Sequence, residues 1–367
     1  MKTPIEEATR TYKWLGLMSG QSRVPIAQTA RTLVYSRDRI QLFKYVRETP
    51  ATKPVPVLMI YSLINRPTIL DLLPERSVVQ QFLAAGHEVY LLDWGVPDGL
   101  DRYAGLDIYL NLHVRTAVRK TCQDAGSEKV TLFGYCMGGT MAAMYAALHP
   151  RRIHSMILLG APFSFRSEQL LYRWGGNPAT LDPDKIVDAC GNAPTWAFEG
   201  FTMLKLDQKA PRAVALYDNL HRPEYVRSHL AMEQWIGENI PMAGAVYSEF
   251  IKGCFQGNRL MDSTMYIAGR RVDLSAVKCP VLLVMGEADH LVPPETTSPA
   301  AEVFPQATAI RFKSGHIGLS VSSAAHRKLW PDVLAWLALQ QPQIGLIVAR
   351  DTPGSVRRSC LCRGPLS

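Results

Sequence analysis

The sequence has no long hydrophobic run, no block of basic residues and no paired-cysteine motif. Its longest apolar runs, such as residues 55–64, are far shorter than the roughly 20 residues that an apolar helix needs to span a bilayer. The first residues contain no apolar signal core, and Glu6 and Glu7 argue against a transit peptide. We therefore expect a cytoplasmic protein without a membrane span.

Positive charge exceeds negative charge, with 40 Lys and Arg against 32 Asp and Glu and a formal net charge of +8. The basic residues are scattered, and aromatic residues do not alternate with arginine along any segment. Nucleic-acid binding requires a concentrated basic patch, so no nucleic-acid partner is expected. A diffuse positive field suits an anionic small substrate such as a CoA-linked compound, although solubility is the simpler explanation.

The seven cysteines are odd in number and irregularly spaced. Disulfide frameworks pair their cysteines, and structural zinc sites use Cys and His at short, fixed spacings. Cys360 and Cys362 are close together near the end of the chain, but no histidine is near them. We expect reduced cysteines, no metal site and no cofactor.

The most informative stretch is VTLFGYCMGGTMAAMYAALH, residues 130–149. Its first four residues are typical of a buried strand, and apolar residues after Gly139 recur at helical spacing. The intervening GYCMG has the layout of a nucleophile elbow, Gly-x-Ser-x-Gly, with Cys136 in the place of serine. The glycines permit a turn too tight for a β-carbon, and a helix N-terminus favours a thiolate. By itself, the pattern fits a nucleophile and a small buried hydrophobe about equally well.

Buried apolar runs alternate with helical segments along most of the chain, which predicts a mostly parallel sheet with helices on both faces. Two half-buried runs, residues 33–35 and 40–46, flank the polar turn SRDR and predict a hairpin at the leading edge of that sheet. Helices are predicted over residues 75–85, 103–125 and 323–339.

This alternation stops over residues 163–273, which are rich in aromatic residues and Met. The segment predicts an inserted helical cap; ordinary packing explains most of its aromatics, and a hydrophobic lid over a substrate channel is compatible with them. The predicted organisation is a short N-terminal region with the hairpin (1–52), the first part of the core (53–162), the cap (163–273), the second part of the core (274–340) and a disordered tail (341–367).

Three chemically useful side chains, Cys136, Asp289 and His316, follow predicted strands. The carboxyl ends of parallel strands line one crevice, where ligands bind. The order nucleophile, acid, histidine is that of the α/β hydrolases, so we predict the α/β-hydrolase fold and a triad of these residues. In it, His316 takes the thiol proton and Asp289 orients the imidazole.

Other roles are open for these residues when each is considered alone. Asp289 also fits a cap of the turn before Pro293. His290, His149 and His154 compete with His316; of these, His149 before Pro150 better fits a cation at a helix C-terminus. The SGH setting of His316, on a short loop after the last strand, suits a triad histidine best.

An oxyanion hole combines the amide that follows the nucleophile with a second amide from the loop after an earlier strand. The first is Met137. For the second we predict Ile64, with Leu63 as the competing choice.

Five motifs together resemble the polyhydroxyalkanoate synthases: GYCMGG at 134–139, NRP followed by DL within 65–72, VYLLDWG at 89–95, ADHLVP at 288–293 and SGH at 314–316. The similarity runs from about Lys53 to Leu337. The short N-terminal region resembles the class III catalytic subunits, with class IV as the alternative.

The resemblance implies polymerisation of (R)-3-hydroxyacyl-CoA with CoA release, and 3-hydroxybutyryl-CoA is the expected substrate. It implies Cys136 as the acyl-carrying nucleophile, His316 as the base and Asp289 as its partner. It further implies an accessory synthase subunit, a homodimer or hetero-oligomer, and a location on cytoplasmic polyester granules. An acyl hydrolase (thioesterase or polyester depolymerase) is the alternative, which cysteine in place of serine disfavours. A third alternative is a structural granule-binding protein that has kept the fold. The predicted triad disfavours it, because such a protein needs no catalytic residues.

Overall fold

The central feature of the computed structural model, which describes residues 14, 16, 23–198 and 209–342, is a twisted sheet. The strands are β1 (Arg31–Arg37), β2 (Ile40–Tyr45), β3 (Val57–Ile60), β4 (Val89–Asp93), β5 (Val130–Tyr135), β6 (Ile153–Leu159), β7 (Tyr266–Ile267), β8 (Arg270–Arg271), β9 (Val281–Gly286) and β10 (Ala307–Phe312). Eight of them form one sheet in the order β1-β2-β4-β3-β5-β6-β9-β10. Since β2 is antiparallel to both β1 and β4, it alone runs against the other strands.

The helices are α1 (Val78–Ala84), α2 (Arg115–Asp124), α3 (Met137–Leu148), α4 (Leu170–Gly175), α5 (Pro183–Cys190), α6 (Lys209–Asp218), α7 (Pro223–Ile236), α8 (Gly244–Phe250), α9 (Pro294–Thr297), α10 (Ala300–Val303), α11 (Gly318–Val321) and α12 (Trp330–Gln340). Wider π-helical turns precede α2, follow α8 and precede α12, at Ile108–Val114, Ile251–Gln256 and Ala325–Leu329. Short 3₁₀ turns occupy Pro67–Leu70, Pro74–Arg76, Gly99–Tyr103, Pro150–Arg152 and Leu274–Ala276.

The inner strands are apolar along their whole length because helices cover both faces of the sheet. Every residue of β3, β5 and β9 is buried. Alternate strand residues enter two separate cores: Leu132 packs with α2 and α3, whereas its neighbour Phe133 packs with α1 and α12. This is the side-chain alternation of a strand, and it confirms the predicted α/β architecture with a mostly parallel sheet.

The hairpin predicted before the core is present as β1 and β2, at one edge of the sheet. Its strands pair through a bulge between Leu33 and Tyr35, and Asp38 in the turn has a positive φ of 53°. Aspartate is among the residues that adopt this conformation most readily. The opposite edge is β10, whose side chains are partly exposed.

The helix predicted over 103–125 begins later than expected, and this boundary was wrong. Tyr103 ends a separate 3₁₀ turn, which Asp98 caps by accepting a hydrogen bond from Leu100. The helical chain starts after Gly105, where the Leu106 amide donates to the Glu249 carboxylate at 2.6 Å. The helix start is therefore set by a residue from a distant part of the chain.

Between β6 and β9, the described residues form α4 to α8 and the small antiparallel hairpin of β7 and β8, which the sequence did not suggest. The division into domains stays a prediction. Most of the N-terminal residues before 23, and the tail after 342 with Cys360 and Cys362, lie outside the described residues. No helix within residues 23–198 and 209–342 has the length and apolar character that crossing a membrane requires.

Candidate active site

Cys136 occupies a sharp turn between β5 and α3. Its backbone has φ 54° and ψ −132°, a strained combination for a residue with a side chain. The Cys136 amide donates to the Leu159 carbonyl at 2.9 Å, and its carbonyl accepts from the amides of Gly139 and Thr140 at 2.9 and 3.3 Å. The turn is therefore fixed on both sides, and it holds the sulfur at the first turn of α3.

Two glycines make this turn possible, as the motif predicted. A β-carbon on Gly134 would lie 2.4 Å from the Gly139 Cα, and one on Gly138 would lie 2.4 Å from the Ile60 carbonyl oxygen. Real β-carbons do not approach backbone atoms so closely. The second contact also shows that the chain leaving β3 passes directly against the elbow.

Asp289 and His316 form a buried pair beside this turn. Asp289 follows β9 and His316 follows β10, and their side chains meet at 2.6 Å between Oδ2 and Nδ1. The residues are only 2% and 4% exposed. The other Asp289 oxygen, Oδ1, accepts from the amides of Leu291 and Val292 at 2.9 Å each. Asp289 thus makes both contacts considered for it, a cap of the turn and a hydrogen bond to His316, and its catalytic role stays a prediction.

The third member of the cluster is Cys136, whose side chain lies close enough to the His316 imidazole to raise its pKa. Because Nδ1 of His316 faces Asp289, Nε2 is the nitrogen left to face the sulfur. Burial by itself lowers the pKa of His316, but the Asp289 carboxylate and the Cys136 side chain raise it to about 10. The site therefore favours a proton on the imidazole and suits a proton exchange between sulfur and nitrogen.

The competing histidines face solvent or contact other groups. His290 has an exposed side chain although it adjoins Asp289 in sequence. His154 contacts the Gln340 carbonyl through Nε2 at 2.5 Å. Of the four candidates, His316 is the one that meets the sulfur and the carboxylate together.

The interpretation of His149 as a helix-terminal cation was wrong. Its pKa is lowered by burial and by the nearby Arg270 and Arg115, and its Nε2 contacts the Asn111 side-chain oxygen at 2.7 Å. Arg270 supplies the positive charge at this helix end instead, since it donates to the Leu148 carbonyl at 2.6 Å. A charged guanidinium already at this place disfavours a second cation.

A cavity of about 980 Å³ opens above the cluster, and both Cys136 and His316 line it. Its other walls are largely apolar and come mostly from the segment between β6 and β9: Phe165, Leu171, Tyr172, Met242, Phe250 and Phe255. These aromatic side chains also pack on one another, with Phe165 and Phe255 ring centres 4.8 Å apart. The aromatic residues noted in the sequence therefore both pack in the core and form the wall of the cavity.

The residues predicted for the oxyanion hole lie at the same cavity. Met137 and Ile64 line it, whereas Leu63 is buried in the core beneath. Met137 is the first residue of α3, where an amide has no acceptor within the helix. The Ile64 amide makes only a long contact, 3.4 Å, with the Ser62 hydroxyl. Their role in binding an oxyanion stays a prediction.

The sequence of this chain matches the alpha/beta hydrolase fold family over residues 55–322. It is 36% identical over 313 residues to the poly(3-hydroxyalkanoate) polymerase subunit PhaC of Allochromatium vinosum, covering 83% of this chain and 87% of that protein. The chain belongs to the PhaC family. The PhaC protein of Synechocystis is 34% identical over 327 residues, covering 87% of this chain and 86% of that protein. These matches confirm the resemblance read from the motifs.

Not all PhaC proteins have the same length. The protein of Haloferax mediterranei is 38% identical over 322 residues, which cover 86% of this chain but 65% of that relative. Among solved structures, an esterase of Thermogutta terrifontis superposes with a TM-score of 0.50 at 16% identity, over 86% of this chain and 100% of that chain. This likeness concerns the fold, and it agrees with the predicted α/β-hydrolase architecture.

The loop after β3 is tied to the chain after α7, a contact that the sequence did not reveal. The Asn65 side-chain amide donates to Asn239 Oδ1 at 2.8 Å, and the Trp235 indole donates to the Arg66 carbonyl at 2.9 Å. A third hydrogen bond runs from the Ile240 backbone amide to the Ile64 carbonyl, at 3.1 Å. Because about 170 residues separate the partners, no local pattern could identify them.

Proposed function

We propose that this chain polymerises (R)-3-hydroxyacyl-CoA, with 3-hydroxybutyryl-CoA as the expected substrate, into a polyester and releases CoA through an acyl-cysteine intermediate on Cys136. The observation that carries this proposal is the contact of the Cys136 thiol with the buried pair of His316 and Asp289, at the wall of an apolar cavity. The PhaC relatives are named as polymerase subunits, which supports the same reaction class.

In the loading step, Cys136 attacks the thioester carbonyl of the substrate. His316 accepts the thiol proton, a bond forms between Sγ and the acyl carbon, and the bond to the CoA sulfur breaks. The imidazolium then returns its proton to the departing CoA thiolate. The amides of Met137 and Ile64 stabilise the oxyanion that develops on the carbonyl oxygen, and Asp289 keeps His316 in the required tautomer.

In the transfer step, His316 takes the proton of a 3-hydroxyl group, and its oxygen attacks the acyl group held on Cys136. An ester bond forms, the bond to Sγ breaks, and the proton returns to the thiolate. Cysteine suits this sequence because transfer from one thiol to another conserves the thioester. A serine ester would be a poorer donor to the incoming hydroxyl. The apolar cavity walls favour a dry site and so disfavour attack by water.

A hydrolase on this fold would differ in the final acceptor, which would be water in place of a hydroxyl group. Product analysis with 3-hydroxybutyryl-CoA distinguishes the two. Insoluble polyester together with CoA supports the proposal, whereas a water-soluble hydroxyacid supports the hydrolase. We expect Cys136→Ala to abolish CoA release, and retained turnover by this variant contradicts the proposed intermediate.

The proposal also covers the partner subunits of this protein and its location in the cell. We infer a class III-like catalytic subunit that works with an accessory synthase subunit, as a homodimer or hetero-oligomer, on polyester granules. Purification with and without a co-expressed candidate subunit, followed by assays with C4 and longer acyl-CoA, tests this assembly. Equal activity and equal size in both preparations contradict the need for the accessory subunit.

A further inference from the structure

Tyr135, the residue before the nucleophile, reaches across to the loop that carries the base. Its hydroxyl donates a hydrogen bond to the His316 backbone carbonyl at 2.8 Å. Its ring lies 5.1 Å from the imidazole, measured between ring centres, at an interplanar angle of 37°. The chain therefore links the strand of Cys136 to the histidine loop at two points, one polar and one by ring packing.

The surroundings of Tyr135 make this link rigid. The residue is fully buried, and its ring also meets the Tyr61 ring edge-on, with centres 5.4 Å apart. Burial raises the pKa of Tyr135 well above its ordinary value, so the phenol keeps its proton and acts as a donor. The Ser320 side chain also lies near the Tyr135 hydroxyl, so this buried group faces protein partners in place of solvent.

We propose that Tyr135 is a positioning residue, which sets the distance between the His316 imidazole and the Cys136 sulfur through its bond to the His316 carbonyl. The inference rests on the proposed function, since it concerns the same pair of reacting atoms. Tyr135 itself touches no substrate: the residues lining the described part of the cavity include its neighbour Cys136, whereas the Tyr135 side chain lies in the core below.

Asp289 contacts the His316 imidazole at Nδ1, and this bond acts on the ring and not on the backbone of the short loop after β10. The Tyr135 hydroxyl acts on that backbone directly. A second tyrosine contacts the backbone of the loop that carries Asp289. Its hydroxyl, that of Tyr172, donates to the Leu291 carbonyl at 2.9 Å. The two loops that bring the acid and the base are thus each braced by a phenol.

The decisive variant is Tyr135→Phe, which removes the hydroxyl and keeps the ring. The His316 carbonyl retains a second donor, the Leu319 amide at 3.2 Å, so the loop keeps a partner. We expect kcat for CoA release from 3-hydroxybutyryl-CoA to fall about tenfold with KM within about twofold, because small misplacements of reacting groups cost rate more than binding. Alkylation of Cys136 by iodoacetamide at pH 7, followed on its own peptide by mass spectrometry, should slow several-fold as well.

The matched control is Tyr90→Phe. Tyr90 is equally buried and its hydroxyl donates to Asp124 at 2.6 Å, but it lies near the start of β4, away from the strand ends that form the site. It should lower the melting temperature without changing kcat or the alkylation rate. Wild-type kcat and alkylation in Tyr135→Phe would overturn the proposal, as would equal losses in both variants. If wild-type protein releases no CoA even when it is purified with the co-expressed accessory subunit, the proposed function fails, and the alkylation rates still decide the role of Tyr135.

Discussion

Replacing Asp289 with asparagine separates the effect of the negative charge from the effect of the hydrogen bonds by which this side chain stabilises its turn. The Asp289 Oδ1 atom, which accepts from the amides of Leu291 and Val292, has an equivalent in the asparagine carbonyl, so the turn should persist. The second oxygen, 2.6 Å from His316 Nδ1, is replaced by an amino group. Two donors then face each other unless the imidazole changes its tautomer, which would place a proton on the nitrogen that must accept the thiol proton.

The size of the effect follows from this one contact. A hydrogen bond to a charged group contributes about 1.5–3 kcal/mol, which corresponds to a rate loss of about ten- to 150-fold when the bond is needed in the transition state. The wrong tautomer adds to that loss. We therefore expect Asp289→Asn to lower kcat for CoA release by at least about 100-fold, measured with purified protein and 3-hydroxybutyryl-CoA.

The same variant should alter how stability depends on pH. The folded-state pKa of His316 is raised from 6.5 to about 10, so the protonated imidazole stabilises the fold below pH 6.5, and this contribution is lost as pH rises through about 10. Asp289→Asn removes the larger part of this contribution, to which the Cys136 side chain also adds. The difference in free energy of unfolding between wild type and variant, from urea titrations, should be largest at or below pH 6.5 and shrink toward pH 10.

A suitable control is Asp273→Asn, because the Asp273 carboxylate caps a 3₁₀ turn on the surface by accepting from the Ser275 amide at 3.0 Å. It should leave kcat unchanged. If Asp289→Asn keeps kcat within about threefold of wild type while remaining folded, the reasoning that assigns Asp289 to the orientation of His316 is refuted.

Two further substitutions test the parts that surround the thiol. Gly138→Ala places a methyl group against the backbone at the end of β3, so we expect thermal melts to show a loss of about 1–3 kcal/mol together with lower kcat; unchanged stability contradicts the close approach. Trp235→Phe removes the indole donor to the Arg66 carbonyl, which should lower the free energy of unfolding by about 1 kcal/mol and reduce kcat more than it changes KM. An effect on KM alone shows that the tie to the loop after β3 serves substrate binding instead.

Local sequence patterns predicted much of the fold, because strand burial and tight turns depend on residues that are close together in the sequence. The inner strands are continuous apolar runs since both sheet faces are covered, and the elbow needs glycine at positions 134 and 138 because backbone passes within a β-carbon's reach. The cluster of Cys136, Asp289 and His316 follows from parallel topology, which brings the ends of β5, β9 and β10 to one edge. For these features, position along the chain determines position in space.

Features set by distant partners could not be read in this way. The helix after Gly105 starts at Leu106, whose amide donates to the carboxylate of Glu249, 143 residues away in sequence. Tyr135 and His316 are separated by 181 residues, so their hydrogen bond has no local signature. The charge of His149 depends on Arg270, which arrives from the β7–β8 hairpin. In each case, tertiary packing decided what the local sequence left open.

The proposed reaction depends above all on an acyl group carried by Cys136. Wild-type protein mixed briefly with 3-hydroxybutyryl-CoA, quenched in acid and digested should yield a 3-hydroxyacyl adduct on the peptide that contains Cys136. The adduct should be absent from His316→Gln protein under the same conditions, because the thiol then lacks its base. Continued release of CoA with no adduct on that peptide, or with the adduct on another residue, would contradict the account.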